Sequence, residues 1–244
     1  MLKQSNKVYE CDVLVVGGGI AGLMAAIAAA DDGAKVVLAE KANTKRSGSG
    51  ATGNDHFLCY IPEVHGDDIT PILKEMDEAQ TGGFSDRYLT LIHAQQSFDR
   101  VKDWDSWGIS MRPHGTWEFI GHAKPGRPRI WLKYAGANQK AVLTTQALKR
   151  NVEIINKTPI TEIITNDLGE VIGAIGVGVE KHEPELRVFR SKTVILATGN
   201  TSRLYSPKTA GWMFNTANCP SCTGSGRAAA YRAGAKLINI DMPY

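Results

Sequence analysis

Three glycines, Gly17, Gly19 and Gly22, stand at the G-x-G-x-x-G spacing, and an acid, Glu40, follows them. Glycines so placed let a backbone turn sharply, approach a diphosphate closely and bring a helix against a strand. Free N–H groups at the start of that helix, reinforced by its dipole, favour an anion. A carboxylate at Glu40 stands where it can accept hydrogen bonds from ribose hydroxyls, and it would repel a 2′-phosphate, which disfavours NADP. The chemistry indicated is the binding of a dinucleotide. A ligand-free glycine turn, a signal peptide or a membrane span are the plainer alternatives. Three consecutive glycines inside the apolar run 13–30, with Glu10 and Asp12 just before it and no basic flank, argue against the last two.

Other groups with chemical potential are weaker. Cys219-Pro-Ser-Cys222 places two thiols where they can reach each other or one metal ion; structural thiols are the first reading, a redox pair the second and a metal site the third. His114 and His122, with Arg112, Arg127 and Arg129, could meet an anionic substrate, although solvated loop charges are the simpler reading. His56, Cys59 and His65 lack a fourth ligand for a metal. Trp212 could stack on a ring, but core packing accounts for it equally well. The residues following Glu40, Lys41 to Gly53, are rich in Gly, Ser and Thr and suit a loop that wraps a ligand.

These groups need a scaffold. Residues 12–16 read as a strand, 20–30 as an Ala-rich helix stopped by Gly33, and 35–39 as the next strand, together a βαβ unit. A short helix is expected over 68–80. A longer one follows, N-capped by Ser85, with Leu91, Ala94, Phe98, Val101, Trp104 and Trp107 as its apolar stripe and Gly108 as its stop. Residues 109–130 read as a basic, loop-rich excursion, and 137–150 as a helix. The runs 152–155, 160–165, 171–179 and 186–190 have the β-branched bias of a small antiparallel meander. Residues 192–197 form a buried strand delivering a second small-residue turn, Ala197, Thr198, Gly199 and Asn200. Because ligands bind beyond the carboxyl ends of parallel strands, the two turns are expected to face one molecule. Thr223-Gly-Ser-Gly226 opens a last helix ending at Gly234, and 236–240 is a final strand.

Composition limits the function classes. The 244 residues are 43% hydrophobic, ordinary for a packed core, and 28 basic against 25 acidic residues leave a net charge of +3, so nothing asks for nucleic acid or a membrane surface. Four cysteines are too few for a disulfide scaffold in a chain of this length, which makes a reducing, cytoplasmic setting the default.

The glycine fingerprint, Glu40, Arg46-Ser47-Gly48, Thr193-Val-Ile-Leu-Ala-Thr-Gly199 and the Thr223 to Ala235 segment, in this order, resemble flavoproteins of the fumarate reductase/succinate dehydrogenase class, nearest to the branch of adenylylsulfate reductase α subunits. The resemblance implies an α/β, Rossmann-like FAD-binding domain of the three-layer glutathione-reductase type with a small antiparallel β meander. It implies FAD as cofactor, a small anionic substrate, an iron–sulfur partner subunit, no nucleic acid and no direct membrane insertion. The implied cofactor residues are Gly17, Gly19, Ile20, Ala21 and Gly22 at the diphosphate, Glu40 at the ribose, and Lys41, Ser47, Gly48 and Ser49 along the loop. Ile160 is implied at the adenine, and Ala197, Thr198, Gly199, Asn200 and Ser225 at the remaining edge. Arg46 stands where membrane-linked members carry a histidine that attaches the flavin, so the FAD here is expected to be noncovalent. Asn200 replaces a second glycine and Ser225 an acid of the family pattern.

All 244 residues are expected to form one FAD-binding domain, in three parts: the first βαβ unit and loop (1–54), a helical and loop insertion (55–150), and the meander with the second cofactor segment (151–244). The family's capping domain, with its substrate-binding histidine and arginine residues, is expected to be absent, so no catalytic residue is assigned.

Overall fold

The computed structural model describes residues 7–80, 86–120, 125–180, 183–202, 219–238 and 240. In chain order its elements are β1 (Lys7–Val16), α1 (Ile20–Asp31), β2 (Val36–Ala39), β3 (His56–Leu58), α2 (Pro62–His65), α3 (Thr70–Gln80) and α4 (Arg87–Ser106). They continue with β4 (Phe119–Ile120), β5 (Trp131–Lys133), α5 (Gln139–Lys149), β6 (Glu153–Ile155), β7 (Ile160–Thr165), β8 (Val171–Gly178), β9 (Glu185–Leu196) and α6 (Ser225–Arg232). The chain divides into two compact units, residues 1–52 with 143–244, and residues 53–142.

The first unit is built on a six-stranded sheet ordered β6-β2-β1-β9-β8-β7. β1 runs parallel to both β2 and β9, and β2 parallel to β6, so β1 is buried between neighbours. Its Leu14, Val15 and Val16 are accordingly shielded from solvent, as is the whole of β2. Each such fully buried aliphatic side chain contributes about 1.5–3 kcal/mol. β7, β8 and β9 are antiparallel, as expected of a meander. Tyr9 of β1 stacks on Phe189 of β9, ring centroids 5.0 Å apart, in a cluster with Leu14, Val37, Ile160 and Ala174.

Helix α1 covers this sheet through Gly22, Leu23, Ala26 and Ile27, a small-residue face that lets helix and strand approach. It stops as Gly33 predicts. Gly33 adopts φ +84°, its N–H meets the Ala30 carbonyl, and the Ala34 N–H meets that of Ala29, the paired bonds of a Schellman motif. Gly234 ends α6 in the same way, through Tyr231 and Ala230.

Four expectations need correction here. Residues 186–190 and 192–197 are one continuous strand, β9, because β1 on one side and β8 on the other pair along its length. That strand is less buried than its composition implies: Thr193 is exposed and Leu196 is 37% exposed. The run at 152–155 belongs with the parallel strands, as β6 beside β2, and not with the meander. Residues 236–238 form no strand, and Ile238 is 82% exposed, since no strand among the described residues offers them a ladder.

The second unit contains an antiparallel sheet, β3-β5-β4, and the helices α2, α3 and α4. β4 lies in the expected loop 109–130, and β3 and β5 in stretches for which no strand was expected. They are two or three residues long and lack the alternation that announces a strand. Phe57 and Trp104 meet edge to face at 5.5 Å, and Trp104 meets Tyr134 at 6.1 Å. Helix α4 buries Ala94, Ser97, Val101 and Trp104, largely the expected stripe, and it stops at Gly108. Its N-cap is Asp86, whose carboxylate accepts from the Tyr88 and Leu89 N–H groups; Ser85 lies outside the described residues.

Candidate functional site

β1 ends at Val16 and hands the chain to a turn that only glycine fits. Gly17 has φ +100°, and a Cβ there would lie 2.5 Å from the Ala197 carbonyl oxygen. A Cβ on Gly22 would overlap the Gly17 carbonyl oxygen, so α1 starts hard against the turn. Gly19 differs from both. Among the described residues, a Cβ on it would meet nothing within 4 Å, which leaves open space in front of the helix N-terminus. No side chain caps α1, and its first turn carries no acid. The N–H groups that every helix start leaves without an intrahelical acceptor therefore face that space uncompensated.

Glu40 completes the turn. Its residue is only 6% exposed, and its carboxylate accepts from the Gly18 N–H at 2.5 Å and from the Ala42 N–H at 2.7 Å. Since a carboxylate has about four lone-pair directions, both oxygens keep acceptor capacity for a sugar. Its backbone is pinned as well, the N–H to Ile155 O at 2.9 Å and the C=O from Thr158 N at 2.8 Å. The second of these bonds sets the segment leading into Ile160 beside Glu40. The Ile160 side chain is buried in the sheet core, so only its backbone, on the edge strand β7, is placed for a ligand.

The second turn lies against the first. The Gly17 contact to Ala197 extends to the Thr198 Cα, and Gly226 of α6 has room for no Cβ beside Thr198 Oγ1. Gly199 adopts φ +74° and Gly224, the N-cap of α6, φ +82°. Thr201 and Thr223 form an isolated antiparallel bridge that draws Ser225 at the start of α6 toward this turn. Ser47 Oγ, Thr201 Oγ1 and Ser202 Oγ are buried without a hydrogen-bond partner among the described residues. Buried hydroxyls in that state are ordinarily satisfied by a ligand or water. Lys41 and Ser49 also reach the second turn, Lys41 Nζ donating to the Ser221 carbonyl and Ser49 Oγ accepting from Cys219 N at 3.4 Å. For Gly48, with φ +81°, and for Asn200, the structure shows position in these loops and no side-chain role.

Sequence reasoning passed over Gly18, whose N–H orients Glu40, and Thr44, buried with its methyl group against Gly18 and its N–H on Asn156 Oδ1 at 2.9 Å. The middle glycine of Gly-Gly-Gly was a visible signal for the first; nothing local marked the second.

The remaining candidates have structural partners. His114 pairs with Glu118 at 2.6 Å, Arg112 with Asp105 and the Trp117 ring, and Arg127 with Glu75 and Glu78. His56 contacts Asp55 at 2.5 Å, His65 is held by Ile61 and Arg129 backbone, and burial pushes the Cys59 thiol up to about 12. Among the described residues no group of three or more metal-binding side chains occurs, and no helix is long and apolar enough to cross a membrane. His122 and Trp212 lie outside the described residues.

Residues 12–243 match the model of a protein family described as FAD binding domain. In Methanothermobacter marburgensis, one of the subunits of the fumarate reductase (CoM/CoB) is 29% identical, over 97% of this chain and 42% of its own length. A fumarate reductase (cytochrome) of Shewanella frigidimarina is 30% identical, over 96% of this chain and 41% of its own. Among solved structures, adenylylsulfate reductase from Archaeoglobus fulgidus superimposes with a TM-score of 0.78 at 28% identity, over 96% of this chain and 37% of that one. The chain thus spans about two-fifths of the length of these relatives.

Proposed function

We propose, from the premise that this chain belongs to the FAD binding domain family, that it is the cofactor-holding part of an oxidoreductase flavoprotein subunit. FAD is its cofactor, and the site fits it on the chain's own terms. The open space before Gly19, the uncapped start of α1 and the Glu40 carboxylate suit a diphosphate and its ribose. The orphaned Ser47, Thr201 and Ser202 hydroxyls suit the polar edge of the same molecule. When bound, FAD supplies two-electron chemistry at its flavin ring. The chain's residues position it: Gly19, Ile20, Ala21 and Gly22 offer backbone N–H groups, Glu40 fixes the sugar, and the Thr198 to Asn200 turn closes the other side. With Arg46 exposed, the cofactor is held noncovalently.

The observation that carries this reading is Glu40 aimed at the glycine turn while Gly19 opens onto free space. The substrate is a small anion, with fumarate and adenylylsulfate as the two candidates drawn from the relatives, and an iron–sulfur subunit is the electron partner. A cytoplasmic location fits the cysteine usage. The chain acts as one FAD-binding domain, and the family's capping domain supplies the substrate-binding residues.

A second reading has a specific observation behind it. Arg112, His114 and Arg127 are each engaged by a carboxylate, which favours a cofactor-binding electron carrier without substrate chemistry of its own. A visible spectrum and a turnover assay separate the two. Flavin absorption that is released on denaturation supports noncovalent FAD. Reduction of fumarate or adenylylsulfate by an artificial donor then supports the enzyme, and flavin reduction without turnover supports the carrier. A colourless protein that takes up NAD in place of FAD would overturn both.

A further inference from the structure

Cys219 and Cys222 bracket a tight turn in which Cys222 N donates to Cys219 O at 3.0 Å across Pro220 and Ser221. Such a turn holds its end Cα atoms within about 7 Å, close to the separation that a disulfide bridges. Both thiols are free and partly exposed. They also interact: burial, then the neighbouring Cys219, pushes the Cys222 thiol up, while Lys41 pulls it down. The contrast with the other cysteines is clear. Cys11 and Cys59 are far from any second cysteine along the chain.

The turn is tied to the loops already described. Cys219 N donates to Ser49 Oγ at 3.4 Å, Ser221 O accepts from Lys41 Nζ, and Cys222 O accepts from Ser202 N at 2.8 Å. Cys222 Sγ lies 3.4 Å from where a Cβ on Gly199 would sit. Two segments that line the candidate site, the loop carrying Lys41 and Ser49 and the turn carrying Gly199 and Ser202, therefore converge on one dithiol.

We propose that Cys219 and Cys222 form a reversible dithiol/disulfide switch whose disulfide pre-organises the cofactor loops. A thiolate of the pair attacks a small-molecule disulfide, releasing one thiol and leaving a mixed disulfide; the second cysteine sulfur then displaces the other thiol and closes the Cys219–Cys222 bond. The pair loses two electrons and two protons, and the small disulfide gains them as two thiols. A locked turn holds Lys41, Ser49 and Gly199 in place before ligand arrives, so less ordering remains to be done on binding. By linkage, FAD must make the disulfide harder to reduce by the same factor.

This inference rests on the FAD reading, and the test keeps the two apart. The full chain is equilibrated in mixtures of oxidised and reduced dithiothreitol, with and without FAD, and its thiols are alkylated after denaturation and mapped by mass spectrometry. In the oxidised buffers two of the four cysteines should escape alkylation. The single peptide that contains both Cys219 and Cys222 should then be lighter by two hydrogens than its reduced form. FAD fluorescence titration should give at least about a fivefold lower Kd for the oxidised form, a coupling of the usual allosteric size. C219S and C222S should each bind FAD as the reduced form does and ignore the buffer. Four alkylated cysteines throughout, or affinities alike within about twofold in both states, overturn the switch. Absence of FAD binding in either state overturns the cofactor reading as well.

Discussion

The two turns of the site solve the same problem by different means. The first runs without interruption from β1 through Gly17, Gly18 and Gly19 into α1, and backbone groups do its work with one side chain, Glu40, to orient it. The second is assembled from pieces: the end of β9, the Cys219 to Cys222 turn, the Gly224 cap of α6, and Lys41 and Ser49 from the loop after β2. The lesson is that a site built on contiguous backbone tolerates almost no change in side-chain size, whereas one built from distant segments depends on the bonds that hold those segments together.

Substitutions sharpen that contrast. The largest effect is expected from Gly22→Val in the first turn, because its Cβ would overlap the Gly17 carbonyl oxygen. Overpacking of this kind costs about 1–3 kcal/mol or more, and thermal melting should show lost stability together with lost FAD binding. Next is Glu40→Gln. The side-chain oxygen can keep one of the two N–H donors from Gly18 and Ala42, and the other then faces an amide NH2 group. A buried donor left unsatisfied costs about 1–3 kcal/mol, so FAD titration should weaken by roughly 5- to 150-fold.

In the second turn, Gly199→Ala should be milder. Its backbone at φ +74° strains a non-glycine residue by about 1–2 kcal/mol, but among the described residues a methyl there meets only Cys222 Sγ at 3.4 Å. A modest fall in melting temperature with partial retention of FAD binding is the expected result. Equal losses in G22V and G199A would erase the distinction between the turns.

The smallest effect concerns the strands that deliver them. Asp12 of β1 pairs with Lys192 of β9 at 2.6 Å and accepts from Lys35 N at 2.8 Å. The Lys192 hydrogen bond, then the Lys35 N–H, hold its carboxyl below the ordinary range. A depressed folded-state value contributes stability above the unfolded pKa of about 3.9, and that contribution disappears as pH falls through the folded value. Asp12→Asn should therefore lower the melting temperature slightly at neutral pH, with the difference from the native chain vanishing in strong acid. The pair is solvent-screened, so a large shift would count against this account.

How much of this was legible in the residues follows the same division. Gly17, Gly22 and Gly33 announce their backbone conformations, and Gly19 and Glu40 their places at the turn, because strand, turn, helix and acid are neighbours in sequence, each with its own local physics. Gly234 and Gly108 likewise mark the helix ends at which they occur. What escaped depends on tertiary pairing. β6 joins the parallel strands because β2 has a free side, a fact that residues 152–155 do not contain. β9 stays continuous past Arg190 because two neighbours bond it throughout. Thr44 is placed in the site by its distant bond to Asn156 and its contact with Gly18, and Cys219 by its distant bond to Ser49. The strands β3, β4 and β5 are too short for periodicity to reveal.

The central claim, that the first turn is a diphosphate cradle, is tested most directly by Gly19→Ala, measured by FAD titration and thermal melting together. Its backbone at φ −68° suits alanine and its methyl group would meet no atom of the described residues within 4 Å, so the melting temperature should stay at the native value while FAD affinity falls at least about tenfold. Unchanged FAD affinity in a normally folded G19A chain would contradict the claim.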